Sequence, residues 1–150
     1  MDDPRADLLT RMNAIPLLQA MQVTLGASDG ERLRLSAPLA PNVNDKGCAF
    51  GGALVSLMTV AGWALVTQKL AAEGLQAEVF VADSEVKYRA PVWGDLEAEA
   101  VASVGEDWPA FIGQFRQKGR ARISIDVQVA LDAGAAATSM RARYAAIASV

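Results

Sequence analysis

An apolar run of roughly twenty residues, preceded by a polar turn that contains glycine, constrains the fold of this chain more than any other feature. The turn reads NDKGCAFGG over residues 44–52, and ALVSLMTVAGWALVTQKLAAEG follows it directly. Helix formers dominate the run and no polar stripe follows it, which is typical of a helix buried on nearly all sides. We therefore predict a helix that the rest of the chain wraps and that ends at Gly74.

The start of this predicted helix is the first candidate site. Gly51 and Gly52 have no side chains that would keep a ligand away, and the first N–H groups of a helix have no partners within it. The backbone amides from Phe50 to Gly52 can therefore meet an electron-rich oxygen directly. Cys48 lies beside them, where a helix start can activate a thiol, but a small buried residue is the ordinary interpretation.

Length, charge and cysteine content exclude several classes of protein. The chain has 150 residues, which suits one domain over residues 1–150, and its net charge of -3 predicts no nucleic-acid partner and no membrane partner. A single cysteine excludes an internal disulfide, and the acidic, polar N-terminus does not resemble a signal peptide. We therefore expect a cytoplasmic protein. The apolar part of the central helix ends near Val66, which is too short for a bilayer.

Apolar periodicity predicts elements on both sides of the central helix. Residues 4–20 are predicted to form a helical segment that covers the fold. Residues 21–27 and 32–37 alternate around Asp29-Gly30, which predicts a hairpin. The remaining predictions are a strand over residues 77–92 with residues 94–105 as its partner, a short helix within 106–119, and two strands around Ala133-Gly134.

This order predicts an α+β fold in which one curled antiparallel sheet of about five to six strands wraps one long helix. Such a sheet covers the helix on one side only. The uncovered side and the free sheet edges favour a homodimer, and two dimers could associate further.

Two motifs in this arrangement are similar to those of a known fold. NDKGCAFGG over residues 44–52 leads into the wrapped helix, and YRAPVWGD lies over residues 88–95. Together they resemble the hot-dog fold of enzymes that act on acyl-CoA and acyl carrier protein (ACP). Within that superfamily, NDKGCAFGGALVSLMTVAGWALV and VADSEVKYRAPV look closest to the YiiD C-terminal-domain family, which was long described as thioesterases and whose members are understood to be malonyl-ACP decarboxylases.

One departure from the superfamily pattern bears on the reaction. Many hot-dog thioesterases have His-Gly-Gly and, seven residues after the second glycine, an acidic residue that activates water. Here Phe50 occupies the histidine position and Thr59 the acidic one, and the chain has no histidine. Triad and His-ligated metal mechanisms are therefore excluded, and hydrolysis lacks its usual proton acceptor. Asp45 or Asp83 could supply one, which keeps thioesterase activity as an alternative.

The resemblance implies a lyase reaction that converts malonyl-ACP to acetyl-ACP and so primes fatty acid synthesis. Loss of CO2 leaves an enolate, so the site needs hydrogen-bond donors and no base in the bond-breaking step. We predict Asn44 and Ser84 as catalytic residues and Phe50, Gly51 and Gly52 as the oxyanion site. The alternative interpretations, without a catalytic role, are a turn residue for Asn44 and an ordinary strand residue for Ser84.

A cluster of basic residues, Arg116, Lys118, Arg120 and Arg122, is the candidate site for the carrier protein or for a CoA phosphate. We call it the basic segment; the alternative is a solvated charged surface. No cofactor is expected beyond the phosphopantetheine that carries the substrate. A non-catalytic module that binds acyl thioesters remains a third possibility. The aromatic residues before the basic segment are expected to form its apolar underside.

Overall fold

One antiparallel sheet of six strands curls around a single long helix in the computed structural model, which describes residues 3–131 and 134–149. The strand order is β1-β2-β4-β5-β6-β3. The elements are α1 (Pro4–Asn13), α2 (Pro16–Met21), β1 (Thr24–Ser28), β2 (Arg32–Ala37), a short 3-10 turn (Ala40–Asn42), α3 (Gly51–Ala72), β3 (Ala77–Tyr88), β4 (Leu96–Ala102), α4 (Trp108–Lys118), β5 (Arg120–Ala130) and β6 (Ala136–Ala148). The predicted architecture is confirmed.

The central helix α3 lies where the apolar run predicts it, but it is not buried on all sides. Eleven of its 22 residues are buried. A stripe of half-buried residues runs along the helix: Val55, Ser56, Thr59, Val60 and Trp63. The helix is long and apolar enough to cross a membrane, but 61% of its apolar window is buried inside the protein, as expected of a core helix.

The predicted pairing of the strand after Gly74 with the next strand is wrong. β3 pairs with β6 and forms one edge of the sheet, whereas β4 pairs with β2 and β5. The connection between them, residues 89–95, contains Pro91 and Gly94 and is too long for a tight hairpin. It is held instead against the loop before α3, where the N–H of Ala49 donates to the carbonyl of Val92 at 2.8 Å.

The N-terminal segment forms two helices instead of one. Asp3 caps α1 by accepting a hydrogen bond from the N–H of Arg5 at 3.0 Å. Pro16 interrupts the helix because it has no N–H to donate, and it is the first residue of α2. α1 packs on α3 as a cover, with Leu8 and Met12 buried.

Both predicted turns join the strands they were expected to join. At the first, Gly30 has φ of +88° and the carboxylate of Asp29 accepts hydrogen bonds from two following N–H groups. At the second, β5 and β6 pair along their length and Gly134 has φ of +86°. Ala133, which the sequence places in that turn, lies outside the described residues.

Two faces of the sheet are used below. The inner face, which contacts α3, contains Met140, Ala142 and Tyr144 of β6, and all three are buried. The outer face carries the intervening residues, such as Arg141 and Arg143, which are exposed. Because directly paired residues point to the same face, the strand registers assign a face to each residue of β3 and β5.

Candidate active site

The first turn of α3 has free backbone donors. Phe50 precedes the helix with extended backbone, and no side chain caps it. The N–H groups of Gly51, Gly52 and Ala53 have no acceptor among the described residues. We call these three groups the amide site.

The predicted contribution of the Phe50 amide is corrected by the structure. Its N–H donates to the carbonyl of Asn42 at 2.8 Å, so it is not available to a ligand. Asn42 itself is buried, and its amide donates to the carbonyls of Met21 and Pro38 at 2.9 and 2.7 Å. Sequence reasoning missed this anchor because nothing in the local pattern distinguishes it from an ordinary turn residue.

Two aromatic rings enclose the amide site. The hydroxyl of Tyr88 donates to the carbonyl of Gly51 at 3.2 Å, and a Cβ at Gly51 would lie 3.5 Å from its ring. The ring of Phe50 lies against Gly52 so closely that a Cβ there would overlap it. Glycine at position 52 therefore makes room for the Phe50 ring, whereas position 51 has room for a Cβ.

The rim around the amide site is apolar and open to solvent. Its large side chains are Val43, Phe50, Tyr88 and Trp93, which are 44 to 62% exposed. An exposed apolar cluster of this kind marks a surface that binds a ligand or another chain. Sequence reasoning missed Trp93; the signal available was its place in the YRAPVWGD motif.

Asn44 holds the loop that precedes the amide site. Its carbonyl oxygen accepts the N–H groups of Lys46 and Cys48 at 2.8 and 3.2 Å, and its amide donates to the Cys48 sulfur at 3.2 Å. Both lone pairs of the oxygen are thus occupied, and one N–H remains. Asn44 can therefore donate to a substrate but is poorly placed to accept from one.

Ser84 lies on the inner face of β3, opposite Ala142, and its side chain is exposed. It is four residues from Tyr88, which corresponds to about 13 Å along a strand. Tyr88 contacts Gly51, close to the loop that Asn44 holds. Ser84 is therefore separated from Asn44 within one chain. Both remain predicted catalytic residues.

The middle of α3 has no ionisable group facing the sheet where thioesterases would have one. The hydroxyl of Thr59 contacts only the sulfur of Met140, at 3.8 Å, and its carbonyl accepts the hydroxyl of Tyr144 at 2.8 Å. Burial raises the pKa of Tyr144, so this hydroxyl stays protonated and acts as a structural donor.

Both candidate carboxylates for hydrolysis pair with cations. Asp83 lies on the outer face of β3, and its hydrogen bonds to the Arg143 guanidinium lower the pKa of the carboxyl. Asp45 is exposed and pairs with Lys46 at 2.9 Å. In residues 3–131 and 134–149, no group of histidine, cysteine and acidic side chains could hold a metal ion.

The basic segment lies far from the amide site. Arg116 pairs with Glu73, just beyond the last residue of α3, at 3.0 Å, whereas the amide site is at the first turn. The 22 residues of α3 correspond to about 33 Å. Arg122 lies on the outer face of β5. Gln128, six residues further along β5, is aligned across the sheet with the last residues of β3, so Arg122 is about 20 Å from that end of β3. The structure therefore separates these cations from the amide site within one chain.

The aromatic underside predicted before the basic segment is confirmed. Trp108, Phe111 and Phe115 of α4 are buried in the core.

This curled sheet around one central helix, with a glycine pair at the start of the helix, defines the hot-dog fold. A family model with the description "Putative thioesterase (yiiD_Cterm)" matches residues 7–148. The chain belongs to this family, which is thioesterase-like.

Solved structures of similar chains agree with this assignment. A protein of unknown function from Chlorobaculum tepidum TLS is 31% identical, with a TM-score of 0.90 over 96% of this chain and 94% of that one. A chain described as the putative thioesterase from Shewanella oneidensis is 26% identical, with a TM-score of 0.84 over 98 and 99%. A probable thioesterase from Pseudomonas aeruginosa, 21% identical with a TM-score of 0.81 over 99 and 97%, shares the fold.

Proposed function

We propose that this protein decarboxylates a malonyl thioester, with malonyl-ACP as substrate and acetyl-ACP as product. The observation that carries the proposal is a set of amide donors at Gly51, Gly52 and Ala53 to which no carboxylate in the described part of the chain bonds, in a chain without histidine whose candidate bases Asp45 and Asp83 pair with cations. A site of this kind can stabilise an oxyanion, but it lacks a group to deprotonate water.

The reaction needs little else from the protein. The bond between the α-carbon and the carboxylate breaks, its electron pair moves into the thioester as an enolate, and CO2 leaves. The amide site stabilises the negative charge that develops on the thioester oxygen, and a donor of this kind is typically worth about 3 to 4 kcal/mol. Water or the hydroxyl of Ser84 then protonates the α-carbon, which gives the acetyl thioester.

The surroundings of the amide site favour this step over hydrolysis. The rings of Phe50, Tyr88 and Trp93 reduce the hydration of a carboxylate that enters, which destabilises the reactant charge relative to the more dispersed enolate. The free N–H of Asn44 can orient the thioester or the departing carboxylate by a neutral hydrogen bond.

A second copy of the chain would complete this site. β3 is an edge strand, and its inner-face residues Val81, Ser84 and Tyr88 are exposed. They adjoin the half-buried stripe of α3. One partner chain could therefore cover the free edge of β3, the exposed inner-face residues of β3 and the stripe together. A homodimer would also confine the thioester between two chains and could supply the partner's Ser84 to the amide site.

The carrier protein is the proposed partner of the basic segment. Lys118, Arg120 and Arg122 have no ion pair with a described carboxylate, whereas Arg116 is engaged with Glu73. These cations can complement the acidic body of a carrier protein whose flexible arm carries the thioester to the amide site.

Thioester hydrolysis is the second candidate, and the description of the family favours it. It would need a water that the amide site orients and a base that this chain alone does not place there. Asp45 is the nearest candidate in sequence. If Asp45→Asn abolishes release of the carrier thiol, hydrolysis is the correct assignment.

Mass spectrometry of products from malonyl-ACP tests the proposal directly. We expect acetyl-ACP; free carrier thiol would support hydrolysis, and an unchanged substrate would support a binding module. Asn44→Ala and Ser84→Ala should each slow acetyl-ACP formation in folded protein. Cys48→Ser tests whether the thiol itself reacts: a serine hydroxyl can still accept the Asn44 hydrogen bond, so turnover should persist if Cys48 is not a nucleophile, as it should after iodoacetamide.

A further inference from the structure

A groove of about 450 Å³ crosses the outer face of the sheet at the end of β3 that adjoins the amide site. Seven charged residues line it: Arg32, Lys87, Arg89, Arg141, Glu85, Glu99 and Asp126. Four are cations and three are carboxylates. The proposed reaction uses none of them.

The carboxylates of this groove neutralise all of its cations but one. The pairs are Arg32 with Glu99 at 2.7 Å, Arg141 with Asp126 at 2.8 Å and Lys87 with Glu85 at 3.7 Å. Glu99 also binds Arg34, outside the groove, at 2.6 Å, and Arg34 has a second carboxylate, Glu97, at 3.9 Å. Arg89 has no carboxylate within ion-pair distance among the described residues, and its guanidinium donates to the hydroxyl of Ser139 at 2.7 Å. The groove therefore has one unit of unneutralised positive charge, at Arg89.

Arg89 also lies at the end of β3 that adjoins the amide site. It directly follows Tyr88, the last residue of β3, whose hydroxyl contacts Gly51. Because β3 is an edge strand, a flexible chain can pass from the outer face over this edge to the amide site. The basic segment offers no comparable path within one chain.

We propose that Arg89 and Ser139 bind the phosphate of the phosphopantetheine arm. This inference rests on the proposed function, since the thioester at the other end of the arm must lie at Gly51. A guanidinium binds phosphate through two parallel N–H groups, and the Ser139 hydroxyl can donate to a third oxygen while it accepts from Arg89. The same phosphate occurs in the carrier-bound arm and in CoA.

A pair of substrates that differ only in this phosphate tests the proposal. For Arg89→Gln, kcat/KM should fall about tenfold or more with malonyl-phosphopantetheine, because a charge-assisted hydrogen bond is lost. It should not change with malonyl-pantetheine, which lacks the phosphate. Arg143→Gln is the matched control: it removes an outer-face arginine that Asp83 already neutralises, and both substrates should be unaffected.

Equal losses with both substrates, or equal losses in the two variants, would overturn the proposal. Calorimetric titration separates it from the reaction itself: at low salt, wild-type protein should bind phosphopantetheine more tightly than pantetheine, and Arg89→Gln should remove the difference. That result would stand even if the products showed hydrolysis. No preference for phosphopantetheine in the wild type would refute the site. Comparison of malonyl-CoA with malonyl-ACP then identifies which carrier supplies the phosphate.

Discussion

The two ends of α3 differ in how their backbone groups are satisfied. At the C-terminal end, the N–H groups of Glu73, Gly74 and Leu75 close the last turn by bonding to its carbonyls, and Gly74 has φ of +72°. α4 contacts this end, where Lys69 lies over the Trp108 ring at 5.0 Å and Arg116 pairs with Glu73. At the N-terminal end no described side chain caps the helix, three donors have no acceptor among residues 3–131 and 134–149, and exposed rings lie beside them.

The difference indicates a division of roles along one helix. The capped end contributes to stability, because the N–H groups that follow α3 bond to its last carbonyls and the aromatic rings of α4 are removed from water. An end with free donors forgoes that stabilisation and can satisfy them with a ligand. Substitutions at the closed end should therefore change stability, and those at the open end should change turnover.

The largest effect is expected from Phe115→Ala at the closed end. Phe115 is buried between α4 and the core, and its truncation should lower the free energy of unfolding by about 3 to 5 kcal/mol. Urea unfolding monitored by circular dichroism measures this change. Turnover per folded molecule should stay at the wild-type level, and a selective loss of turnover would contradict the division between the two ends.

Gly51→Pro should have the next largest effect, at the open end. Proline removes one N–H of the amide site but is tolerated at the first position of a helix. Phe50 before it already has φ of -65° and ψ of 132°, the extended backbone that a following proline requires. We expect kcat for acetyl-ACP formation to fall about 10² to 10³-fold, as for the loss of an oxyanion donor.

Gly51→Ala is the control for that substitution. It keeps the N–H and adds a Cβ that has room beside Tyr88. Wild-type turnover in the alanine variant and loss in the proline variant would identify the amide as the active group. Equal turnover in both variants would remove Gly51 from the oxyanion site.

Local patterns in the sequence were sufficient to predict α3, the Asp29-Gly30 hairpin and α4, because each depends on neighbouring residues. The partners of β3 were predicted wrongly. Pairing between distant strands depends on the whole sheet, and the alternation in β3 and β4 does not distinguish one partner from another.

The candidate site was likewise predictable only where its features depend on neighbouring residues. The free amides of Gly51 and Gly52 follow from the helix start alone, so they could be predicted. The loss of the Phe50 amide depends on Asn42, in the separate 3-10 turn, and the separation of Ser84 from Asn44 depends on position along β3. Arg89 could not be recognised from sequence, because its lack of a carboxylate partner is visible only when the outer face is assembled.

Gly62→Ala tests the middle of α3, between the two ends. A Cβ at Gly62 would overlap the buried ring and hydroxyl of Tyr144, which Thr59 holds in place by accepting its hydrogen bond. Overpacking of this kind should lower the free energy of unfolding by about 1 to 3 kcal/mol, as measured by urea unfolding. Gly113→Ala in α4 is the control, since its Cβ meets nothing and should stabilise the helix slightly.

The smallest effect is expected from Arg116→Ala, back at the closed end. Its ion pair with Glu73 is about half exposed on both sides, so it should contribute less than about 1 kcal/mol to stability, and less still at high salt. If Arg116 only ties α4 to the end of α3, KM for malonyl-ACP should not change. A rise in KM at low salt that disappears at high salt would instead assign this arginine to the carrier surface, and the closed end would then take part in substrate recognition as well as in stability.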